Sequence, residues 1–406
     1  MLDPSMMIHR LSEIGVALTS IRDVDHLLEH IIEEACQFAN CDGGTLYIQE
    51  GSSLRLAVWR NETLRRRDGR GGGVVHEGRF IPVSETWMAG YCAATGRAVN
   101  IGDVYEMPPG APYGFNPVFD QENDYRTQSM LCVPMTDNEG NIVGTLQLIN
   151  ALDADAKVAT FPAEIEPLVR SLASQAAVAI RNAQLHKQLR DAHIDTIFRL
   201  SVASEYRDQE TSRHIQRISA YSHVIALQRG LGAAEAEMIR VSSPMHDIGK
   251  LGVPDAVLRK PGKLTDEEFE VMKQHTLFGE RILQGSNADI LQQSAVVAVT
   301  HHERWDGRGY PRHLAGESIP LSGRIVGLVD AFDAISSKRV YKPARGFEES
   351  VEILQRDTGT HFDPECVAAL TGALDRVFAL YSKLSIEEGP EEFQFLAGQP
   401  AERGTP

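Results

Sequence analysis

The feature that most constrains the fold of this 406-residue chain is a long stretch without helix breakers, from Glu164 to about Glu210. It contains no glycine, and no proline after Pro167, while apolar residues recur along it at helical spacing. We therefore predict one long helix or two helices in series. A helix of this length outruns the core of a single domain, which favours a connector that pairs with its twin across a dimer. Two helices packed into separate domains are the alternative.

This stretch separates two halves of different character. The first half is α+β, and its patterns predict an opening helix, four short strands and one mobile loop. The helix runs from about Leu11 to Ala39, the strands are Gly44 to Gln49, Leu54 to Trp59, Met130 to Met135 and Asn141 to Asn150, and the glycine-rich loop is Arg65 to Gly73. The second half is helix-rich and lacks alternating strands. Ile386 to Pro406 is rich in Glu, Gly and Pro, which predicts a loosely held tail.

The overall composition excludes several classes of protein. With 40 Lys and Arg against 56 Asp and Glu, the net charge of −16 argues against broad binding to DNA, RNA or anionic lipid. An anionic substrate therefore needs local positive charge. No apolar run reaches the roughly 18 residues of a membrane span, so we expect a cytoplasmic protein without membrane contact. The five cysteines show no CxxC spacing, which argues against a disulfide framework or a zinc ribbon.

Five histidines and three carboxylates in the second half form a candidate metal-binding set. They are Glu210, His214, His246, Asp247, His275, His301, His302 and Asp330. Glu210 and His214 are four residues apart, so a helix places both on one face, as in metalloenzymes that present two ligands at once. One octahedral ion takes about six ligands and needs open positions for chemistry, so the set implies two or three ions. Its mixture of imidazole and carboxylate suits iron or manganese, with zinc, cobalt or nickel as alternatives.

Two unbroken motifs join these residues. They are His246-Asp247-Ile248-Gly249-Lys250 and His301-His302-Glu303-Arg304-Trp305-Asp306-Gly307-Arg308-Gly309-Tyr310-Pro311. On these motifs, residues from about 195 to 380 resemble the HD-GYP family, all-α metal-dependent cyclic dinucleotide phosphodiesterases of the HD superfamily. The resemblance implies that Asp247 bridges two metals and that Glu210 accompanies a third. It favours a trinuclear site of iron or manganese, and a dinuclear site with Glu210 off the metals is the alternative.

The expected reaction is in-line attack of a metal-activated hydroxide on a phosphodiester. Asp247 and the histidines hold the metals, and Lys250, one turn beyond His246, stabilises the developing charge or aids the leaving oxygen. The resemblance further implies substrate contacts by Gly309, Tyr310, Asp333, Arg339 and Lys342. Alternatively, Gly309 serves only its turn, and Arg339 and Lys342 are ordinary exposed charges.

Residues from about Leu11 to Ala183 resemble a GAF domain, a small-molecule sensor module with an antiparallel sheet and flanking helices. The resemblance rests on Gly90 to Gly96, Asn100 to Asp103, Tyr125 to Pro134 and Gly144 to Asn150. The NKFDE set of cyclic-nucleotide-binding GAF domains is incomplete here. Phe161 and Glu166 fit, but Ala151 follows Asn150 where the set has Lys, and Ile165 stands where Asp is expected.

The ligand of this first domain is an unknown small molecule. Arg126 and Ser129 are candidate contacts, with a folding role as the alternative, and Cys92 and Cys132 are expected to be buried and inert. We expect the ligand to act on the metal site through the long helix, because its last turn carries Glu210.

These inferences predict a multidomain regulated enzyme. The expected segments are a sensor domain (1–163), a helical connector and dimer coiled coil (164–200), an HD-GYP phosphodiesterase domain (201–385) and a flexible tail (386–406). The expected activity is hydrolysis of cyclic di-GMP to linear pGpG, with GMP as a further product. The alternatives are the same chemistry on 3′,3′-cyclic GMP-AMP, and a non-catalytic protein that senses the dinucleotide or docks a cyclase through the GYP segment.

Overall fold

The computed structural model describes residues 4–76, 78–208, 212–336 and 346–386. The chain divides into two compact units, Met1–Leu189 and Arg190–Pro406. The tail expected at 386–406 lies outside the described residues, apart from Ile386 itself. Among the described residues, no helix is both long enough and apolar enough to cross a membrane.

The first unit is built on an antiparallel sheet. Its strands are β1 (Cys41–Glu50), β2 (Ser53–Asn61), β3 (Gly72–Val74), β4 (Phe80–Pro82), β5 (Val99–Ile101), β6 (Met130–Thr136), β7 (Ile142–Leu152) and β8 (Val158–Ala159). The order across the sheet is β3-β2-β1-β7-β6-β5, with β4 also on β2 and β8 on β7. The four predicted strands correspond to β1, β2, β6 and β7, which pair as the antiparallel neighbours β1-β2 and β6-β7 at the centre of the sheet.

Among the described residues, six helices accompany the sheet. They are α1 (Pro4–Ser20), α2 (Val24–Ala39), α3 (Glu62–Asp68), α4 (Met88–Thr95), α5 (Val118–Asn123) and α6 (Ile165–Glu205). The single opening helix that we predicted is therefore two helices. Asp23 separates them, because its carboxylate accepts a hydrogen bond from the backbone N–H of His26 and caps α2.

The glycine-rich segment predicted to be a mobile loop contains regular structure instead. Arg65 to Asp68 belong to α3, which begins at the side-chain cap of Asn61 and ends at Gly69 with a φ of 76°. A left-handed backbone of this kind favours glycine, which explains why a glycine follows the basic run. Gly72 and Gly73 then pair with β2.

The two faces of the sheet pack against different groups. Alternate residues such as Leu46 and Leu148 join α1, α2 and α6 in one large buried cluster. Met130, Cys132 and Ile149 on the opposite face pack with α4.

The long helix is one continuous element, but its first part is not a free connector. Val169, Leu172, Ala176 and Ile180 are buried in the cluster with α1 and α2. The connector that we predicted to begin at residue 164 is therefore part of the N-terminal core up to about Ala183. Exposed residues dominate only from Gln184 to His193.

In the second unit, the described residues form helices joined by loops and no β-strand. Besides the end of α6 it contains α7 (Ser212–Gln228), α8 (Ala233–Ser242), α9 (Asp255–Leu258), α10 (Asp266–Lys273), α11 (His275–Leu283), α12 (Asp289–Thr300), α13 (Leu321–Ser336), α14 (Phe347–Arg356), α15 (Pro364–Gly372) and α16 (Leu374–Ile386). Its main core is formed by α7, α8, α12, α13, α14, α15 and α16, which pack around the buried rings of Tyr221 and Phe332. The predicted fold class, an α+β domain followed by an all-α domain, is confirmed.

Candidate metal centre

Short 3-10 turns place the first motif in the interior of the second unit. One turn (Ser243–Met245) precedes His246, and another (Ile248–Gly252) follows Asp247. Gly249 lies so close to α11 that a Cβ built on it would be 1.8 Å from the carbonyl oxygen of His275. Only glycine permits this approach, which brings Asp247 and His275 together.

The remaining candidate ligands come from helix ends that meet this turn. His214 lies in α7, His275 begins α11, His301 and His302 follow α12, and Asp330 lies in α13. Helix α13 approaches the end of α12 through Gly327, where a Cβ would lie 2.4 Å from the carbonyl oxygen of His301. Residues that are up to 116 positions apart thus surround one small volume.

The donor atoms form two groups that Asp247 joins. In the first group, His214, His246 and Asp330 bring their donors within 4.8 Å of one another, and in the second Asp247, His275, His301 and His302 do so. Asp247 Oδ1 lies 3.1 Å from His275 Nε2 and 3.5 Å from His301 Nε2, while its Oδ2 lies 3.4 Å from His246 Nε2. The carboxylate therefore directs one oxygen toward each group.

Hydrogen bonds to backbone carbonyls fix the orientation of three imidazoles. The Nδ1 atoms of His246, His275 and His301 lie 3.0, 2.8 and 3.0 Å from the carbonyl oxygens of Ser243, Met272 and Ala298. A carbonyl only accepts, so each Nδ1 carries the proton and each Nε2 has a free lone pair. These three Nε2 atoms and Asp247 Oδ1 are buried and make no hydrogen bond.

The donor set fits divalent metal ions. Orphaned buried nitrogen and oxygen atoms are costly in a folded protein unless they bind something, and here they converge. Imidazole and carboxylate donors without thiolate suit borderline and hard divalent ions. The converging donors around Asp247 therefore fit a divalent metal site.

The electrostatics of the site favour the ligand forms of Asp247 and His302. Burial would raise the pKa of Asp247, but Lys250 and His246 beside it hold that pKa well below its usual value. Burial lowers the pKa of His302 well below its usual value, and neighbouring His301 and His275 lower it further. The aspartate is thus charged and His302 neutral, which are the states that bind cations.

A buried glutamate that the sequence analysis did not identify also lies at the site. Glu205, near the end of α6, is 2% exposed, and its donor lies within 4.8 Å of those of His246 and Asp247. Its Oε2 accepts a hydrogen bond from Lys250 Nζ at 3.2 Å. No spacing rule reveals this pair, because the two residues are 45 positions apart.

The second motif, His301 to Pro311, forms a loop, and the ring of Tyr310 in this loop lies over the site. The ring centroid of Tyr310 is 4.8 Å from that of His302, and burial raises the pKa of its hydroxyl. Gly309 packs on the backbone of the loop itself, since a Cβ there would be 2.3 Å from Arg304 N. Buried Glu303 accepts backbone hydrogen bonds from Arg312 and Leu314, which explains the acid in the motif.

The structure places Asp333 differently from the substrate contact that the resemblance implied. Its carboxylate is 2% exposed, accepts a hydrogen bond from His214 Nδ1 at 2.7 Å and pairs with Arg217. Burial opposes ionisation, but these two partners hold the pKa of Asp333 far below its usual value. Asp333 therefore orients a candidate metal ligand.

Three predicted site residues, Glu210, Arg339 and Lys342, lie outside the described residues. In the first unit, Arg126 pairs with Asp103 at 2.9 Å, and the Ser129 hydroxyl accepts a hydrogen bond from Ala151 N. Cys92 and Cys132 are fully buried free thiols.

Comparisons with known proteins identify both domain types. Residues 201–366 match the HD domain family, and residues 23–180 match the GAF domain family. The first match spans most of the candidate metal ligands, and HD domains bind divalent metals. The two domain types predicted from the sequence are thereby confirmed.

Relatives in several bacteria match about half of the chain. A protein of Thermotoga maritima named cyclic di-GMP phosphodiesterase is 46% identical over 189 residues, 47% of this chain and 51% of its own length. The response regulator RpfG of Xanthomonas campestris, also so named, is 43% identical over 48% of this chain and 52% of its own length. The 3′3′-cGAMP-specific phosphodiesterase 2 of Vibrio cholerae is 40% identical over 51% of this chain and 40% of its own length. The chain thus spans about half the length of these relatives or less.

Replacing Asp333 by Asn tests its role in orienting His214. The amide keeps the shape but loses the charge that fixes the imidazole, so affinity for Mn²⁺ should fall about 10- to 100-fold. Equilibrium dialysis with metal analysis measures this. Asp195→Asn, at an exposed position of α6, is the control, and unchanged affinity in Asp333→Asn would contradict the assignment.

Proposed function

We propose that this chain, in which an HD domain follows a GAF domain, hydrolyses cyclic di-GMP to linear pGpG. The observation that carries the proposal is the Asp247 carboxylate between two buried groups of converging imidazole donors. Divalent ions held there supply a nucleophilic water at neutral pH and positive charge against the phosphodiester oxygens. Relatives named as cyclic di-GMP phosphodiesterases support this choice of substrate.

The residues around the two groups have distinct roles in this proposal. His214, His246, Asp247 and Asp330 would hold one ion, and Asp247, His275, His301 and His302 the other. Iron or manganese suits this donor set. The third ion expected from Glu210 remains a prediction, because that residue lies outside the described residues.

Lys250 lies directly beside the Asp247 carboxylate. Its Nζ lies 2.9 Å from Asp247 Oδ2, and its side chain is 12% exposed. An ammonium in this position stabilises negative charge that develops on the phosphate during attack. It also supplies part of the local positive charge that a chain of net charge −16 otherwise lacks.

Tyr310 forms the side of the site where a planar base would pack. Its ring lies next to His302, and Lys273 Nζ is 5.7 Å from the ring centroid. An aromatic face beside a cation suits a nucleobase attached to a phosphate. The same features accept the hybrid dinucleotide 3′,3′-cyclic GMP-AMP, the substrate class in the name of one relative.

The N-terminal unit would supply a regulatory input. It contains a cavity of about 820 Å³, within the range of small-molecule sites, with Tyr47, Trp59, Trp87 and Phe119 among its lining residues. We propose that a small molecule binds there and alters the activity of the second unit.

The proposal also includes a homodimer formed through the exposed part of α6. Leu185, Leu189 and Leu200 are about half exposed, at 47, 55 and 53%. With Ala192 and Thr196 they form a stripe at spacings of four, three, four and four residues, and a second copy of the same helix would cover it.

Turnover by metal-loaded protein tests the function directly. Anaerobically purified full-length chain loaded with Fe²⁺ or Mn²⁺ should convert cyclic di-GMP to pGpG, resolved by chromatography, and Asp247→Asn should abolish conversion and lower the metal content. Parallel incubation with 3′,3′-cyclic GMP-AMP decides between the two dinucleotides. Tight binding of a dinucleotide without turnover, at full metal occupancy, would instead indicate a non-catalytic sensor.

Lys250→Ala separates charge stabilisation from metal binding. Because Lys250 is not among the ligands, kcat should fall about 100-fold or more while the metal content per chain stays within error of wild type. Loss of metal in proportion to activity would show that Lys250 is structural.

A charge on the leucine stripe tests the dimer. Leu189→Glu places two carboxylates against each other at the proposed interface and should give a monomer, whereas wild type should have twice the 44.8 kDa chain mass. Light scattering after size exclusion measures this. Gln188→Glu, an equal charge change on the adjacent exposed residue, should leave the dimer intact, and a dimeric Leu189→Glu would refute the interface.

A further inference from the structure

We infer that the end of the long helix sets the position of Lys250, and that Glu205 and Arg207 are the positioning residues. The inference rests on the proposed function of Lys250. It concerns the end of α6 and the 3-10 turn after it, together called the α6 clamp and defined as Ser204, Glu205 and Arg207.

Arg207 binds the backbone of the segment that carries Lys250. Its guanidinium donates hydrogen bonds to the carbonyl oxygens of Lys250 at 3.2 Å, Leu251 at 2.8 Å and Val253 at 3.3 Å. It also pairs with Asp255. The three carbonyls lie at or just beyond the C-terminal end of the 3-10 turn Ile248–Gly252, where a cation is favourable. A lysine cannot reproduce this planar set of donors.

The other two members of the α6 clamp contact the same segment from the helix side. The Ser204 hydroxyl donates to the carbonyl oxygen of Ile248 at 3.4 Å. Glu205 accepts from Lys250 Nζ, so among the described residues the ammonium contacts the carboxylates of Glu205 and Asp247. The clamp thus holds both the backbone and the side chain of the lysine.

The hydrogen-bond pattern distinguishes the Glu205 carboxylate from the donor atoms that converge without partners. His246 Nε2, His275 Nε2, His301 Nε2 and Asp247 Oδ1 are buried atoms without hydrogen bonds, whereas the Glu205 carboxylate has the Lys250 ammonium. A carboxylate that is 2% exposed is stable only beside such a partner. The pair therefore restricts Lys250 to one location beside Asp247.

Positioning through a buried pair has a measurable consequence for Lys250 itself. Without Glu205 or Arg207, the ammonium should leave its buried location more often. A shift of about 1 Å in a group that contacts the reacting phosphate can cost up to about 100-fold in rate. The ligands are not moved, so metal binding should be preserved.

The experiment uses the full-length, Mn²⁺-loaded chain with Glu205→Gln and Arg207→Ala, each alone and combined with Lys250→Ala. Arg199→Ala, which breaks an exposed ion pair with Asp195 on α6, is the control. Three properties are measured: metal per chain, labelling of Lys250 by acetic anhydride followed by mass spectrometry, and kcat and KM on cyclic di-GMP and on bis(4-nitrophenyl) phosphate. Thermal unfolding midpoints identify any variant that fails to fold, and Arg207→Lys then replaces Arg207→Ala.

We expect several-fold faster labelling of Lys250 in both single variants, unchanged metal, and kcat lowered about 10- to 100-fold with KM within about twofold of wild type. In the Lys250→Ala background neither substitution should lower kcat further, because its effect passes through the lysine.

Three results would overturn the inference. They are unchanged labelling, loss of metal in Glu205→Gln, which would make Glu205 a ligand, and full additive losses in the Lys250→Ala background. If Lys250 is labelled faster in the two single variants but the wild-type protein hydrolyses no phosphodiester, the proposed function is refuted, and the positioning of Lys250 by Glu205 and Arg207 is still supported.

Discussion

The second unit depends on one carboxylate that lies between two groups of imidazoles. Asp247 directs Oδ1 toward His275 and His301 and Oδ2 toward His246. Buried histidines at this density are unfavourable unless cations bind them, so the surrounding helices pack in a way that only a bound metal fully compensates. The absence of a Cβ at Gly249 and Gly327 permits the close packing that brings the donors together.

Around this centre, a second set of contacts orients the ligands. Backbone carbonyls accept from three imidazoles, and Asp333 with Arg217 holds the fourth, His214. These partners determine which ring nitrogen carries the proton, and so determine which one faces the metals. The same logic extends to Lys250, whose ammonium contacts the carboxylates of Glu205 and Asp247. The site is thus a layered polar network within an otherwise apolar helical unit.

The long helix has different surroundings along its length. Its first part is buried with α1 and α2, its middle is exposed, and its end bears Glu205. Of the two possibilities that periodicity left open, one long helix or two in series, the structure has one helix, and no glycine or later proline breaks it after Pro167. Periodicity does not separate the buried part of this helix from the exposed part, because apolar residues recur at helical spacing in both. Apolar periodicity also did not predict the break in the opening helix at Asp23. The break comes from a side-chain cap, which a pattern of apolar residues does not indicate.

The motifs were sufficient to predict the two domain types and the chemistry of the candidate ligands, because imidazoles and carboxylates in such a pattern have few uses other than metal binding. Which side chains meet depends on the packing of the helices. Glu205 reaches Lys250 across 45 positions, and Asp333 reaches His214 across 119. No local spacing encodes these pairs, since helix crossings and close glycine contacts bring them together. The sequence therefore predicted the ligands, and the packing revealed the residues that orient them.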